Sequence, residues 1–276
     1  MLPLMQNKRG LVMGVANQNS IAWGIAKTLH AHGAELAFTY QGEALGKRVK
    51  PLAQSIGSDL VIPCDVEDIA SVDAAFAQLD EAWGGDPGRN TLDFLVHAIG
   101  FSDKNELKGL YADTSRENFS RTMVISCFSF TEATKRAAAR MPNGGSIITL
   151  TYGGSMRIMP NYNVMGVAKA ALEASVRYLA GDYGPRGIRV NALSPGPVRT
   201  LAGAGISDAR AMLSWQRANA PLRKSVTLEE IGGAALYYLS ELSGGVTGDV
   251  HHVDAGYHIT SMPVLEGLRA ADQGEA

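Results

Sequence analysis

The chain has 276 residues, 46% hydrophobic and 19% charged, which is enough apolar surface to bury a core and excludes chain-wide disorder. Its formal net charge of −2, from 25 basic and 27 acidic residues, leaves no basic footprint for nucleic acid or an anionic membrane. No apolar run approaches the ~18 residues of a spanning helix.

The opening MLPLMQNKRG lacks a basic stretch followed by a long apolar run and a small-residue cleavage site, so it does not read as a secretory signal. Cys64 and Cys127 sit in apolar surroundings without CxxC spacing, which suits free buried thiols in a reducing compartment. The expectation is a soluble, cytoplasmic protein. At ~150 residues per domain the length allows two, but no linker interrupts the chain, and residues 1–276 read as a single domain.

In chain order the pattern alternates strand and helix: strand 10–15, helix 21–32, strand 34–40, helix 44–56, strand 59–63, helix 69–83, strand 92–98 and helix 115–140. It continues with strand 146–151, helix 163–183, strand 189–192, helix 228–242 and strand 249–253. The strands are short and almost continuously apolar, as in LVMGV, DFLVHA and SIITL, the signature of strands covered by helices on both faces. Repeated βα units then predict an α/β, Rossmann-type doubly wound parallel sheet of about seven strands. Residues 195–221 break the rhythm with a long small-residue loop and a short helix, the form of a substrate-covering lid. The tail, 263–276, is Gly/Ala-rich and acidic and is expected to fray.

The first strand runs through Gly14 and Ser20 to Gly24 and a helix. Gly14 allows a tight turn where a side chain would collide with a dinucleotide, and Gly24 lets the helix pack closely on the strand. The helix N-terminus offers free N–H groups to a pyrophosphate, and Ser20 can cap it or donate to a phosphate. The second strand ends at Tyr40-Gln41, without the Asp or Glu typical of NAD selectivity, and Lys47-Arg48 lie one turn on. NAD and NADP both stay open on these residues. Asp65, after the third strand, is either a helix cap or a neighbour of an adenine. His97 lies inside an apolar run and reads as a core histidine rather than a catalyst. His251 and His252 point to opposite faces of a strand, and no other Cys or His completes a site, so no metal is expected.

After the fifth strand come Tyr152, Tyr162 and Lys169. Seven positions make about two helical turns, which puts Tyr162 and Lys169 on one face. An ammonium beside a phenol favours phenolate, and beside a ribose it donates to hydroxyls. A phenol suits a developing oxyanion, to which it gives a hydrogen bond and then a proton. On an isolated helix the same pair reads as a solvated face.

Together these segments resemble the bacterial NADH-dependent enoyl-acyl-carrier-protein reductases of type II fatty acid synthesis, a divergent branch of the short-chain dehydrogenase/reductase superfamily. The carriers are GVANQNSIAWGIA, GAELAFTYQ, CDVEDIASVD, HAIGF, PNYNVMGVAKAALEA, GIRVNALSPGPVRTLAGAGI and GDVHHVDAGY. Ordinary superfamily members use Tyr-x3-Lys, a slot filled here by Met165, which cannot donate a proton. The resemblance implies that Tyr162 is the active-site tyrosine, that Tyr152 lines the substrate pocket and that Lys169 holds the nicotinamide ribose. It further implies dinucleotide contacts from Gly14, Ser20, Ile21, Gln41, Asp65, Val66 and Ile99. Val198, Arg199, Thr200, Leu201 and Ala202 would cover the nicotinamide and pyrophosphate, and Ser102 would touch substrate. An enoyl-loaded acyl carrier protein as partner and a homotetramer are implied as well. Two departures stand out: a longer insert at 85–90, and Asn17-Gln18-Asn19 in place of a more basic turn. Two other readings stay open: a ketone or alcohol dehydrogenase of the wider superfamily, and a non-catalytic dinucleotide sensor.

Overall fold

The computed structural model describes residues 3–85, 88–200 and 209–262. Seven strands pair in parallel: β1 (Arg9–Met13), β2 (Glu35–Tyr40), β3 (Val61–Pro63), β4 (Phe94–His97), β5 (Gly145–Leu150), β6 (Ile188–Pro195) and β7 (Val250–Val253). Their order is β3-β2-β1-β4-β5-β6-β7. The chain steps outward from β1 to β3 and then resumes at β4 on the other side of β1. The crevice where strand order reverses therefore lies beyond the C-terminal ends of β1 and β4, where such sheets bind ligands.

Continuous apolar strands follow from the two-sided burial. In β1, Leu11 and Met13 join one core while Val12 joins the other, as period-two alternation requires. The first core is closed by α3 (Ile69–Trp83), α5 (Ser129–Ala139) and α6 (Asn163–Tyr183). The second is closed by α1 (Ile21–Ala31), α2 (Gly42–Gln54) and α8 (Leu228–Leu239). α4 (Arg116–Met123) and α7 (Ala209–Asn219) complete the α-helices among the described residues.

Several expectations are corrected. A Cβ on Gly24 would stand 2.7 Å from Leu228 Cβ, and one on Gly232 2.2 Å from Thr28 Oγ1. These glycines therefore bring α1 against α8, and Gly24 serves a helix–helix crossing rather than a helix–strand one. The helix expected over 115–140 is interrupted by a π-helical turn at Val124–Phe128. Its wider winding leaves Ser126 Oγ free to accept from Phe101 N–H and donate to Phe101 C=O, both at 2.9 Å. β6 runs to Pro195 rather than 192. α8 stops at Leu239, where Arg189 takes over the carbonyls of Tyr238 and Ser240.

His97 is a core residue, fully buried, with Nδ1 3.3 Å from Thr149 Oγ1 and Nε2 2.9 Å from Ser129 Oγ. Burial, helped by the nearby Lys169 charge, pulls its pKa from 6.5 to about 3. Between those values the unfolded chain binds a proton that the folded one refuses. The stabilisation is therefore complete above pH 6.5 and declines as pH falls toward 3. Urea midpoints are expected to drop through this window, and His97→Gln should flatten that slope.

Candidate active site

A cavity of about 780 Å³ opens at the strand-order reversal. Of the residues singled out from sequence it brings together Ile21, Ile99, Ser102, Tyr152, Tyr162, Lys169, Val198, Arg199 and Thr200. Gly14, Ser20, Gln41, Asp65 and Val66 do not line it. They sit beyond the C-terminal ends of β1, β2 and β3, along the path an extended dinucleotide would follow. Leu201 and Ala202 lie outside the described residues, as do the rest of the 201–208 stretch of the expected lid and the tail 263–276.

At the phosphate end the glycine reading changes. Gly14 has φ +99°, and a Cβ there would stand 2.1 Å from the Ala98 carbonyl oxygen. The side chain is excluded by the loop after β4, before any cofactor is considered. Ser20 makes no side-chain bond to its own helix. Its Oγ instead accepts from Ala16 N–H and Asn17 N–H, both at 3.0 Å, and so shapes the turn. Asp65 is not the cap of α3, a role taken by Asp68, which accepts from Ala70 N–H. Asp65 accepts from Glu67 N–H and from Gln41 Nε2 at 3.0 Å. The ends of β2 and β3 thus share one polar contact where a ribose and adenine would lie.

At the chemical end Tyr162 is the N-cap residue of α6 rather than its first turn, between Asn161 (φ 57°) and Asn163 (φ 30°). Lys169 sits inside the helix. The two still reach one cavity. The Tyr152 and Tyr162 rings meet edge to face with centroids 5.2 Å apart, a favourable aromatic geometry. The expected phenolate is not what this environment favours. Burial, with Tyr152 and Glu173 adding to it, raises the Tyr162 phenol far above its usual value. Burial likewise pushes Tyr152 up to about 12. Desolvation outweighs the lysine, so both phenols remain protonated donors. Lys169 is itself pulled down to about 8 by burial, opposed by Cys127 and Glu173, and its Nζ donates to Leu150 C=O at 2.8 Å.

Ser102 Oγ is held by Thr122 Oγ1 at 2.9 Å and donates to Asn118 Oδ1 at 3.3 Å. Phe101, which ends HAIGF, and Met212, inside the expected lid, supply an apolar wall together with Leu107 and Leu213. Glu173 was missed, although its position four residues after Lys169 is a legible signal. Among the described residues no group of three or more His, Cys, Asp or Glu could hold a metal ion, and no helix is long and apolar enough to cross a membrane.

The geometry has close counterparts. Enoyl-[acyl-carrier-protein] reductase [NADH] 2 of Rhizobium meliloti (strain 1021) is 74% identical over 269 residues, covering 98% of each chain. A crystal structure of FabI from Candidatus Liberibacter asiaticus superposes with a TM-score of 0.92 at 59% identity, covering 96% of this chain and all of that one. The enoyl-(acyl-carrier-protein) reductase of Anaplasma phagocytophilum, solved in complex with NAD, gives a TM-score of 0.90 at 56% identity over 96% of this chain and 99% of that one. Residues 14–258 match the family described as Enoyl-(Acyl carrier protein) reductase, and with relatives this similar over nearly its whole length the chain belongs to that family.

Proposed function

We propose that this chain reduces the carbon–carbon double bond of a trans-2-enoyl thioester carried on acyl carrier protein, the last step of the fatty acid elongation cycle. The observation that carries the reading is the pair of protonated phenols beside a buried lysine in one cavity at the strand-order reversal. The residues fit a nicotinamide dinucleotide: Lys169 is buried with its ammonium at the cavity wall, and Gln41 and Asp65 pair at the adenosine end. NADH, when bound, supplies the hydride to the β-carbon.

The protein's own part is electrostatic. As negative charge develops on the thioester oxygen, Tyr162 donates a hydrogen bond to it, and its high pKa makes it a donor rather than a competing anion. The α-carbon then takes a proton, directly or after tautomerisation. Tyr152, edge-on to Tyr162, lines the substrate side. Lys169 holds the nicotinamide ribose. Gly14, Ser20, Ile21, Gln41, Asp65, Val66 and Ile99 contact the dinucleotide, residues 198–202 cover its nicotinamide and pyrophosphate, and Ser102 touches substrate. The segment 195–221 covers the acyl chain, with Met212 and Leu213 on its apolar side. Work in the cytoplasm and assembly as a homotetramer, which would cover the exposed Phe128 and Tyr178, belong to the same reading.

Reduction of an enoyl thioester with NADH deuterated at the transferred position is expected to leave deuterium on the β-carbon, read by mass spectrometry and NMR. No transfer to the enoyl thioester, with deuterium on the carbinol carbon of a 3-oxoacyl thioester offered in parallel, would favour the ketone or alcohol dehydrogenase instead. Lys169→Ala is expected to weaken NADH binding on the order of tenfold, the worth of a lost charge-assisted hydrogen bond. An unaltered dissociation constant would remove the ribose role.

A further inference from the structure

Behind the cavity, two successive residues at the end of β5 are tied to α6 one helical turn apart. Lys169 Nζ donates to Leu150 C=O at 2.8 Å, and the Thr151 hydroxyl donates to Glu173 Oε1 at 2.6 Å. Tyr152 is the next residue. These two bonds therefore join the strand end that carries Tyr152 to the helix that carries Lys169 and begins at Tyr162. Glu173 is buried, and a buried carboxylate held by one hydroxyl is costly unless a positive charge lies near. Lys169, four positions back on α6, faces the same way. The two make no direct ion pair, and their coupling runs through space.

Other titratable groups around this pair come from every packed element. Cys127 faces it from the π-helical turn, His97 from β4, Tyr152 and Tyr162 from the intervening loop, and His252 from β7. Burial raises the Cys127 thiol and both phenols and lowers both imidazoles, so none of these bears charge near pH 7. Beyond His252 the buried Asp254 carboxylate is taken up by His258, Nδ1 to Oδ1 at 3.0 Å, which leaves Glu173 as the carboxylate that balances the lysine.

We propose that Glu173 is a positioning residue whose buried carboxylate, held by Thr151, is the counter-charge that keeps the Lys169 ammonium and the Tyr152 strand end in their working arrangement. The inference rests on Lys169 being the residue that holds the nicotinamide ribose. Removing the negative charge makes the ammonium easier to deprotonate, so NADH affinity loses its alkaline side at lower pH.

The test is NADH binding, followed by fluorescence from about pH 6 to about pH 10, for the unaltered chain, Glu173→Gln, Glu173→Asp and Lys169→Met. Glu173→Gln keeps an oxygen to accept from Thr151 and is expected to move the alkaline fall in affinity down by about one pH unit. At pH 8 that is roughly fivefold weaker binding, with little change at pH 6. Glu173→Asp should return the fall toward its original pH, and Lys169→Met should abolish it. Glu173→Met, apolar and of similar length, takes the place of the amide if that variant does not fold, with the same predicted shift. A fall at the original pH in a folded Glu173→Gln or Glu173→Met variant, or equal weakening at every pH, would overturn the proposal. Lys169→Met binding NADH like the unaltered chain would instead overturn the ribose role beneath it.

Discussion

Replacing Tyr162 with phenylalanine is expected to lower kcat for enoyl thioester reduction on the order of 10²–10³-fold, the usual cost of removing one oxyanion donor. NADH binding should be unchanged. The expectation follows from what the substitution spares. The Tyr162 ring is buried against Tyr152 and close to Gly154, where a Cβ would stand 2.5 Å from Tyr162 Cδ1. Phenylalanine keeps that ring and loses only the hydroxyl. Because burial holds the phenol protonated well above neutral pH, no ionisation of Tyr162 should appear in the activity profile near neutrality. Parallel measurement of Tyr152→Phe separates the two tyrosines. If Tyr152 were the principal donor, its variant would show the larger loss in kcat and Tyr162→Phe the smaller.

Gly14→Ala is expected to destabilise the fold by about 2–4 kcal/mol, the sum of a left-handed backbone position and an overpacked contact. The added methyl would lie 2.1 Å from the Ala98 carbonyl oxygen at a residue with φ +99°, and the obstacle is backbone, so no rotamer relieves it. Either β1 or the loop after β4 must move. Both border the crevice where the cofactor is proposed to bind, so NADH affinity should fall together with the urea midpoint. Gly42→Ala makes a useful comparison, since it shares a positive φ but has no atom within 4 Å of the added Cβ. It should cost only about 1 kcal/mol. Equal losses in the two variants would assign the whole effect to backbone conformation and none to the contact.

The sheet was legible because two-sided burial leaves a mark in the residues: Leu11, Val12 and Met13 are all apolar since each must face one core or the other. The bounds of α3 and α6 were read correctly, and both contain long runs without a breaker. The π-helical turn was not legible, because Val124–Phe128 contains no Gly or Pro to mark a break and only the distant Phe101 backbone reveals what Ser126 is for. Gly24 shows the same limit. Its place after a βα turn suggested contact with the strand, whereas the partner, Leu228, is 204 positions further along the chain and invisible to local spacing.

At the site, residue types were legible and electrostatics were not. Tyr152, Tyr162 and Lys169 could be picked out by spacing and resemblance, and they do share a cavity. Spacing alone suggested a lysine that ionises its neighbour. The direction reverses because Tyr162 and Lys169 are both buried, and desolvation favours the neutral form of each. The cavity they share is walled by the loop after β4 and the segment from Pro195 to Thr200, neither of which is near Tyr162 in the chain.

The most direct measurement is the loss of reduced-nicotinamide absorbance with a crotonyl thioester, run with NADH and NADPH in parallel on the unaltered chain and on Tyr162→Phe. The account predicts oxidation of NADH that nearly vanishes in the variant while the variant still binds NADH. Measurable NADH binding with no oxidation of either nucleotide by the unaltered chain would contradict it.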